Sequence, residues 1–468
     1  MSSSVETPAE KPAGEFERVD MTALTGLRGL LALWVCGFHT VGYSQLQWDL
    51  QGSPVMPPFF ILSGFCLAVC YGGRGVRDVV PCCGEWRTPW ARGFYVNRFA
   101  RLAPVYYLVT AASIPLIYLG YSSGGISKDV GAMLYHLIPN AFGVQMWIFT
   151  GSICGPAWTV STLAFFYVLF PRLLPVLQRA SVPAGRFWRS TAWLTLGVPC
   201  QAAGCCSSDE AAERTPARAV ESWGMLMGHC WIAQFVVGVV IAVALVLLGM
   251  WEAAFWASTA WPPSRLPVFL MGCYGGLLRT APAAEREASE VEWERKAPIA
   301  PSADFTAAYI LVHLVAFSAC SIFVRNTWGS GWWLQFWLVG DWSTLIYQLT
   351  LEKERGSYAS RFLRSGPLLW LGKVSYSLYL VHLPLRNYVA YGLRGSRGAR
   401  PDYDKDDDDL ERWNNKFFSP AWTIAPVIAA SVVLAGVLEA LVERPARARL
   451  RTAEPKQLSE TRCVAAEA

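Results

Sequence analysis

Residues 24–44 read LTGLRGLLALWVCGFHTVGYS, from Leu24 to Ser44, and this stretch decides the fold class. About 20 mostly apolar residues in a helix cross ~30 Å of hydrocarbon at ~1.5 Å per residue. Arg28 and His39 are the only residues in the run of the Asp, Glu, Lys, Arg and His types. They are 11 residues apart, which in a helix is about three turns, ~20° from a common face and ~16 Å along the axis. An ionisable side chain at membrane depth costs a few kcal/mol and persists where it faces the protein interior, a cavity or a substrate path. The spacing therefore predicts a membrane helix with two functional side chains along one side of one cavity.

The same apolar reading recurs at 55–72, 102–120, 157–177, 190–206, 224–250, 265–279, 305–324, 332–350, 367–391 and 420–442. The windows 190–206 and 265–279 are short, and 332–350 carries Asp341, so at least one of them reads as re-entrant or interfacial. Composition agrees with a membrane solvent. Of 468 residues, 53% are hydrophobic and 16% charged, against ~45–50% and ~25% in soluble domains. That balance excludes a disordered chain, a coiled coil and a secreted disulfide scaffold. The net charge of +5 is spread over loops and forms no basic face of the kind nucleic-acid binding requires.

Short cytoplasmic loops collect Lys and Arg. Segment 73–101 carries Arg74, Arg77, Arg87, Arg92, Arg98 and Arg101 against Asp78 and Glu85, and reads as a cytoplasmic loop. Segments 178–189 (Arg179, Arg186, Arg189) and 351–366 (Lys353, Arg355, Arg361, Arg364), and the tail bearing Arg444, Arg447, Arg449 and Arg451, read the same way. The acidic run from Asp402 to Glu411 reads as external. Both termini are then cytoplasmic, which requires an even number of crossings. The expected fold is an all-α, polytopic transmembrane helix bundle of about ten membrane-spanning helices. Residues 1–20 form a disordered tail, 21–445 the membrane domain and 446–468 a polar tail. The N-terminus lacks a basic start followed by an apolar core and shows no cleavable signal peptide.

A second polar stripe lies in the penultimate window, where Ser375, Tyr379 and His382 follow i, i+4, i+7 spacing and share one helix face. Such a stripe serves a cavity, or else joins helices by hydrogen bonds. His136, His229 and His313 have no comparable partners and read as structural. Cys36, Cys66, Cys70, Cys230, Cys273 and Cys320 sit in apolar runs as small hydrophobes, and the pairs Cys82–Cys83 and Cys205–Cys206 lack zinc-site spacing. No metal is expected. The sequence has no G-x-S-x-G elbow, phosphate-binding loop or H-E-x-x-H pair.

In their order, these motifs resemble the acyltransferase 3 family of integral membrane acyltransferases along nearly the whole chain. Leu24-Thr-Gly-Leu-Arg28-Gly…His39 is similar to its L-D-G-L-R-G…H opening, and Phe59-Phe60-Ile-Leu-Ser63-Gly64-Phe65 to its F-F-x-L-S-G-F helix. Arg98-Phe-Ala-Arg101-Leu-Ala-Pro104-Val-Tyr106 resembles its R-x-x-R-x-x-P-x-Y segment. Pro156-Ala-Trp158-Thr-Val-Ser161 with Phe166-Tyr167…Phe170-Pro171, and Arg265-Leu-Pro267-Val-Phe269…Gly272, resemble two further signatures. Ser375-Tyr-Ser-Leu-Tyr379…His382…Pro384 and the closing Glu443-Arg444-Pro445 complete the series. Two departures stand out. The family's Asp is Thr25 here, and its Glu residues after W-S-L-S are replaced by Leu163 and Ala164.

The resemblance implies transfer of an acyl group, commonly acetyl, from acyl-CoA to a hydroxyl of a carbohydrate, a lipid-linked sugar or another small molecule. It makes acyl-CoA a substrate, with no cofactor in the strict sense. His39 is then the general base, and Arg28 stabilises either the CoA or the developing oxyanion. Arg98 and Arg101 take the CoA phosphates, while Ser63, Tyr379 and His382 orient the acceptor. The lost carboxylates favour one alternative, a non-catalytic transporter or lipid-binding protein that keeps the fold. For a eukaryotic source, the expected location is the endoplasmic reticulum or the plasma membrane.

Overall fold

The structure is a computed structural model and describes residues 19–46, 48–72, 89–121, 130–178, 216–281, 302–323, 334–394 and 419–450. The window 190–206, the loop arginines Arg74, Arg77, Arg87, Arg179, Arg186, Arg189 and Arg451, the run Asp402 to Glu411 and the vicinal cysteines lie outside the described residues. Among those described, regular structure is helical, and the extended pairing is an isolated bridge between Ser44 and Ser419.

In chain order the helices are α1 (Thr22–Gly42), α2 (Pro57–Tyr71), α3 (Pro89–Tyr118), α4 (Val130–Phe142), α5 (Trp158–Gln178), α6 (Pro216–Leu247) and α7 (Trp251–Thr259). They continue as α8 (Pro262–Arg279), α9 (Ala303–Phe323), α10 (Val339–Gln348), α11 (Tyr358–Leu363) and α12 (Gly366–Arg394). The last are α13 (Ile424–Leu438) and α14 (Arg444–Leu450), joined by a π-turn at Glu439–Glu443. Helices α2 and α8 start on Pro-Pro pairs, where the missing N–H costs nothing in the first turn.

Among the described residues, seven helices are long and apolar enough to cross a membrane: α1, α2 with the turn before it, α3, α5, α6, α9 and the α13–α14 unit. The all-α membrane architecture thus stands. Two further expected windows are helices of another kind. Helix α8, with 18 residues, is buried by protein along almost its whole length. Helix α12, with 29 residues, is roughly 43 Å long, but Ser375, Ser377, His382, Arg386 and Asn387 are buried along it and lower its apolarity. The third helix begins at Pro89 rather than near 102, so Arg92, Arg98 and Arg101 belong to the helix and not to a loop.

Two seams of close backbone contact organise the bundle. A Cβ on Gly372 would lie 2.2 Å from Thr25 O, and one on Gly29 would lie 2.5 Å from Gly372 N, so α1 and α12 touch along their backbones. Between α2 and α8, a Cβ on Gly272 would lie 2.1 Å from Ile61 O and one on Gly64 2.2 Å from Phe269 O. Where lipid is as apolar as the side chains, such close packing supplies much of the helix–helix attraction. Along the first seam the helices run parallel: Arg28 donates to Gly372 O (3.3 Å), His39 meets His382 (3.0 Å) and Tyr43 O accepts from Arg386 (2.8 Å).

These contacts define two ends of the bundle. At one, which we call the basic end, Asp20 Oδ2 lies 2.9 Å from Arg364 Nη1, and Gln178 at the end of α5 donates to Gly72 O just after α2. At the far end Arg386 is 2% exposed, packs over the Tyr43 ring at 4.8 Å and neighbours Asn387, which donates to Tyr121 O after α3. Between α7 and α8, Arg265 is buried, donates to Thr259 O (2.7 Å) and to Gln335, and lies over the Phe336 ring. The cysteines Cys36, Cys66, Cys230 and Cys273 are free thiols among helices, whereas Cys70 departs from that expectation and is disulfide-bonded.

Replacing Gly372 with Leu forces the first seam apart. The expected cost is about 1–3 kcal/mol or more, seen as a lowered melting temperature in detergent, while Gly356→Leu, with nothing within 4 Å of its Cβ position, melts near wild type. Burial pushes the Asp20 carboxyl up, but hydrogen bonds from Thr22 and Arg364 and the guanidinium charge outweigh it and hold the group below its ordinary range. A carboxylate so held stabilises the fold above about pH 4 and stops doing so as pH falls through its lowered pKa. The stability advantage of wild type over Asp20→Asn should therefore be full at neutral pH and fade only below about pH 4.

Candidate active site

The described cavity opens from the basic end between α1, α2, α3, α5 and α12, with a volume of ≈ 140 Å³. That is room for roughly ten waters, suited to the reactive end of a small molecule. Five of the seven residues singled out from sequence stand in its wall: Arg28, Ser63, Arg98, Arg101 and Tyr379.

Each helix contributes one face. On α2 the wall residues Phe59, Ser63, Cys66 and Cys70 follow i, i+4, i+7, i+11 spacing, and on α5 Thr159, Leu163 and Tyr167 follow i, i+4, i+8. Arg98 and Arg101 are one turn apart on α3. The Arg98 guanidinium lies 5.8 Å from the Phe94 ring centroid and 5.9 Å from that of Tyr167, and Tyr167 Oη is 3.0 Å from Ser63 Oγ. Ser375 donates to Gly372 O (2.8 Å), and Tyr376 donates to Leu102 O (2.7 Å), tying α12 to α3. The link to α3 is thus made by Tyr376, beside the Ser–Tyr–His stripe, while Ser375 of the stripe bonds within its own helix.

Charge in this cavity is one-sided. Its wall holds three arginines and no carboxylate, and among the described residues Arg98 and Arg101 form neither an ion pair nor a hydrogen bond. Two of the family's missing acids explain this, because Thr25 and Leu163 are themselves wall residues. The nearest carboxylate influence comes from Glu443, which is 3% exposed, lies outside the wall and acts electrostatically on Arg28 and Arg101. Glu443 accepts from Ser377 Oγ (3.0 Å) and pairs with Arg447 (3.7 Å), which also reaches Glu439.

His39 and His382 are placed differently from the sequence expectation of one cavity shared by Arg28 and His39. Neither is a wall residue of this cavity. They meet each other at the far side of Tyr379, whose ring centroid is 6.0 Å from that of His382. The reason is the α1–α12 register, which carries His39 about three turns beyond Arg28 and opposite His382. His39 is half-buried and His382 fully buried. His313 stays within its own helix, with Nδ1 2.8 Å from Tyr309 O.

Sequence reasoning passed over Tyr167, Tyr376, Thr159 and Cys66 as wall residues. Their signal was present as spacing of three or four from residues already singled out. Glu443 was visible in the closing Glu443-Arg444-Pro445 motif, but its link to Ser377 was not, because it spans 66 positions.

A parallel-seamed helical membrane bundle, with an arginine-lined cavity and a histidine pair beyond it, is the setting expected of a membrane acyltransferase. A sequence model of the acyltransferase domain family, Acyl_transf_3, matches residues 21–198 and 227–440, and the chain belongs to that family. Among curated proteins, acyltransferase MdmB of Streptomyces mycarofaciens is 25% identical over 446 residues, covering 91% of this chain and 92% of that protein. No solved structure matches.

Removing the Glu443 carboxylate leaves the Ser377 hydroxyl without its acceptor and Arg447 with Glu439 as its remaining buried carboxylate. Glu443→Ala should cost about 3 kcal/mol, and Glu443→Gln, which keeps the Ser377 hydrogen bond, clearly less; thermal unfolding in detergent compares the two.

Proposed function

We propose that this membrane acyltransferase moves an acyl group, acetyl in the simplest case, from acyl-CoA to a hydroxyl of a carbohydrate, a lipid-linked sugar or another small molecule. The observation that carries the reading is the three-arginine, carboxylate-free wall at one end of the bundle, with His39 ~16 Å further along the same helix. That separation suits a donor whose phosphates and thioester lie at opposite ends of a long pantetheine arm.

Arg98 and Arg101 bind the CoA phosphates, for which guanidinium groups offer charge and bidentate reach. Arg28, held by Gly372 O at the same end, acts on the donor with them; at ~16 Å it is too far from His39 to share the reacting carbonyl. His39 takes the proton of the acceptor hydroxyl as its oxygen attacks the thioester carbon. The C–S bond then breaks, the imidazolium returns the proton to sulfur, and the products are an ester and free CoA thiol. Ser63 and Tyr379, in the cavity wall, guide the thioester end of the donor from the arginines toward His39. The sequence alternative, a non-catalytic transporter or lipid binder, rested on the lost carboxylates, and Glu443 now supplies a buried acid near the same arginines.

The bundle is traversed ten times in this reading, with both termini cytoplasmic. The traverses are α1, α2, α3, α5, α6, α8, α9, residues 334–350, α12 and the α13–α14 unit. Residues 334–350 run between the ends, because Gln335 meets Arg265 at the far end and Thr350 O accepts from Arg279 at the basic end. Gln178 at the end of α5 reaches Gly72, and Met227 on α6 lies against Gly275 near the end of α8, so α5 ends and α6 begins its traverse at the basic end. Arginine at that end makes it the cytoplasmic one, where acyl-CoA is available. The partners are acyl-CoA, the acceptor and membrane lipid, with no nucleic acid, and for a eukaryotic source the compartment is the endoplasmic reticulum or the plasma membrane.

Purified protein in lipid nanodiscs should release CoA thiol from acetyl-CoA when a suitable acceptor is present. His39→Ala should lower that turnover by about 100-fold or more without changing the melting temperature. Arg98→Ala and Arg101→Ala should each raise KM for the donor about 10-fold and leave KM for the acceptor unchanged. Wild-type turnover in the His39 variant removes the base from the mechanism, and failure to consume acyl-CoA with any hydroxyl acceptor returns the transporter reading.

A further inference from the structure

The histidine pair contains more information than either ring alone. His382 Nδ1 lies 3.2 Å from Leu378 O, His382 Nε2 lies 3.0 Å from His39 Nδ1, and His39 Nδ1 lies 3.1 Å from Val35 O. A backbone carbonyl only accepts, so the hydrogen of a neutral His382 sits on Nδ1, facing Leu378 O. Its Nε2 then carries a lone pair. The hydrogen between the rings must belong to His39 Nδ1, which shares it between His382 Nε2 and Val35 O. His39 Nε2 is left as a lone pair, and among the described residues it makes no hydrogen bond.

We infer that His382 is a positioning residue for His39: its Nε2 accepts the His39 Nδ1 hydrogen bond, holds Nε2 of His39 as the basic atom and orients the ring toward the acceptor. The inference rests on the acyl-transfer reading with His39 as base and replaces the direct acceptor contact expected of His382. When His39 Nε2 takes the hydroxyl proton, its Nδ1 hydrogen bond to His382 becomes charge-assisted and stabilises the imidazolium. In a Ser–His–Asp triad this place is filled by a carboxylate. Here the pair is faced by Phe38, Tyr43, Tyr379 and the more distant Arg386, none of them an acid. The orienting group is a neutral imidazole, buried and held by its own helix.

The side chain at 382 separates this role from simple packing. His382→Leu fills the space without an acceptor, whereas His382→Gln places an amide oxygen within reach of His39 Nδ1. In nanodisc assays with acetyl-CoA, His382→Leu should lose about 100-fold or more in kcat with KM for donor and acceptor within about 2-fold of wild type, and His382→Gln should recover most of the loss. A His382→Leu enzyme with wild-type kcat overturns the inference, as does a folded His382→Gln enzyme no more active than His382→Leu. Should His382→Leu not fold, solid-state NMR of isotope-labelled histidine in the wild-type protein decides the matter. The resonances that His39→Ala removes should show a protonated Nδ1 and a bare Nε2, and the opposite tautomer overturns the inference. If His39→Ala itself keeps full activity, the acyl-transfer assignment of His39 fails first. If only the His382 variants are silent, that assignment stands and this inference alone falls.

Discussion

Everything at the site depends on the contact between the backbones of α1 and α12. Gly29 and Gly372 have no side chain to hold the two helices apart, so they approach until main chain meets main chain. In a bilayer, where burial of apolar surface gives little preference for protein over lipid, this close fit is a principal source of attraction. It also sets the register. Once Thr25 and Gly372 are in contact, the parallel helices advance together, and His39 must arrive beside His382 and Tyr43 beside Arg386.

A second constraint is charge at membrane depth. Three arginines face one cavity without a carboxylate in its wall, an arrangement that is costly unless water or an anionic ligand enters. Their position toward one end shortens the path to water, and the Arg98 guanidinium lies over the Phe94 and Tyr167 rings. Glu443 moderates this field from outside the wall, anchored on α12 through Ser377 and balanced by Arg447.

The same contacts resolve the architecture. Helix α8 and residues 334–350 look too short or too polar to cross by themselves, yet they lie against α6 and each other inside protein, where apolarity is not the price of admission. Arg265 can sit buried between α7 and α8 because Thr259 O, Gln335 and the Phe336 ring take the place of water. An apolarity count therefore stops at seven helices among the described residues.

From the sequence alone, periodic apolarity determined the helical membrane class; polar residues inside apolar runs pointed to Arg28 and Tyr379, and the family resemblance to Ser63, Arg98 and Arg101, all five of which line one cavity. Such signals are local: a helix repeats every 3.6 residues, so a face is readable within about twenty positions. Only the tertiary structure decided that His39 belongs with His382 rather than in the cavity with Arg28, and that Glu443 stands near the arginines. Those pairings join residues 343 positions apart in one case and 66 in the other. They follow from how closely two backbones pack, a distance that the order of residues along one helix does not encode.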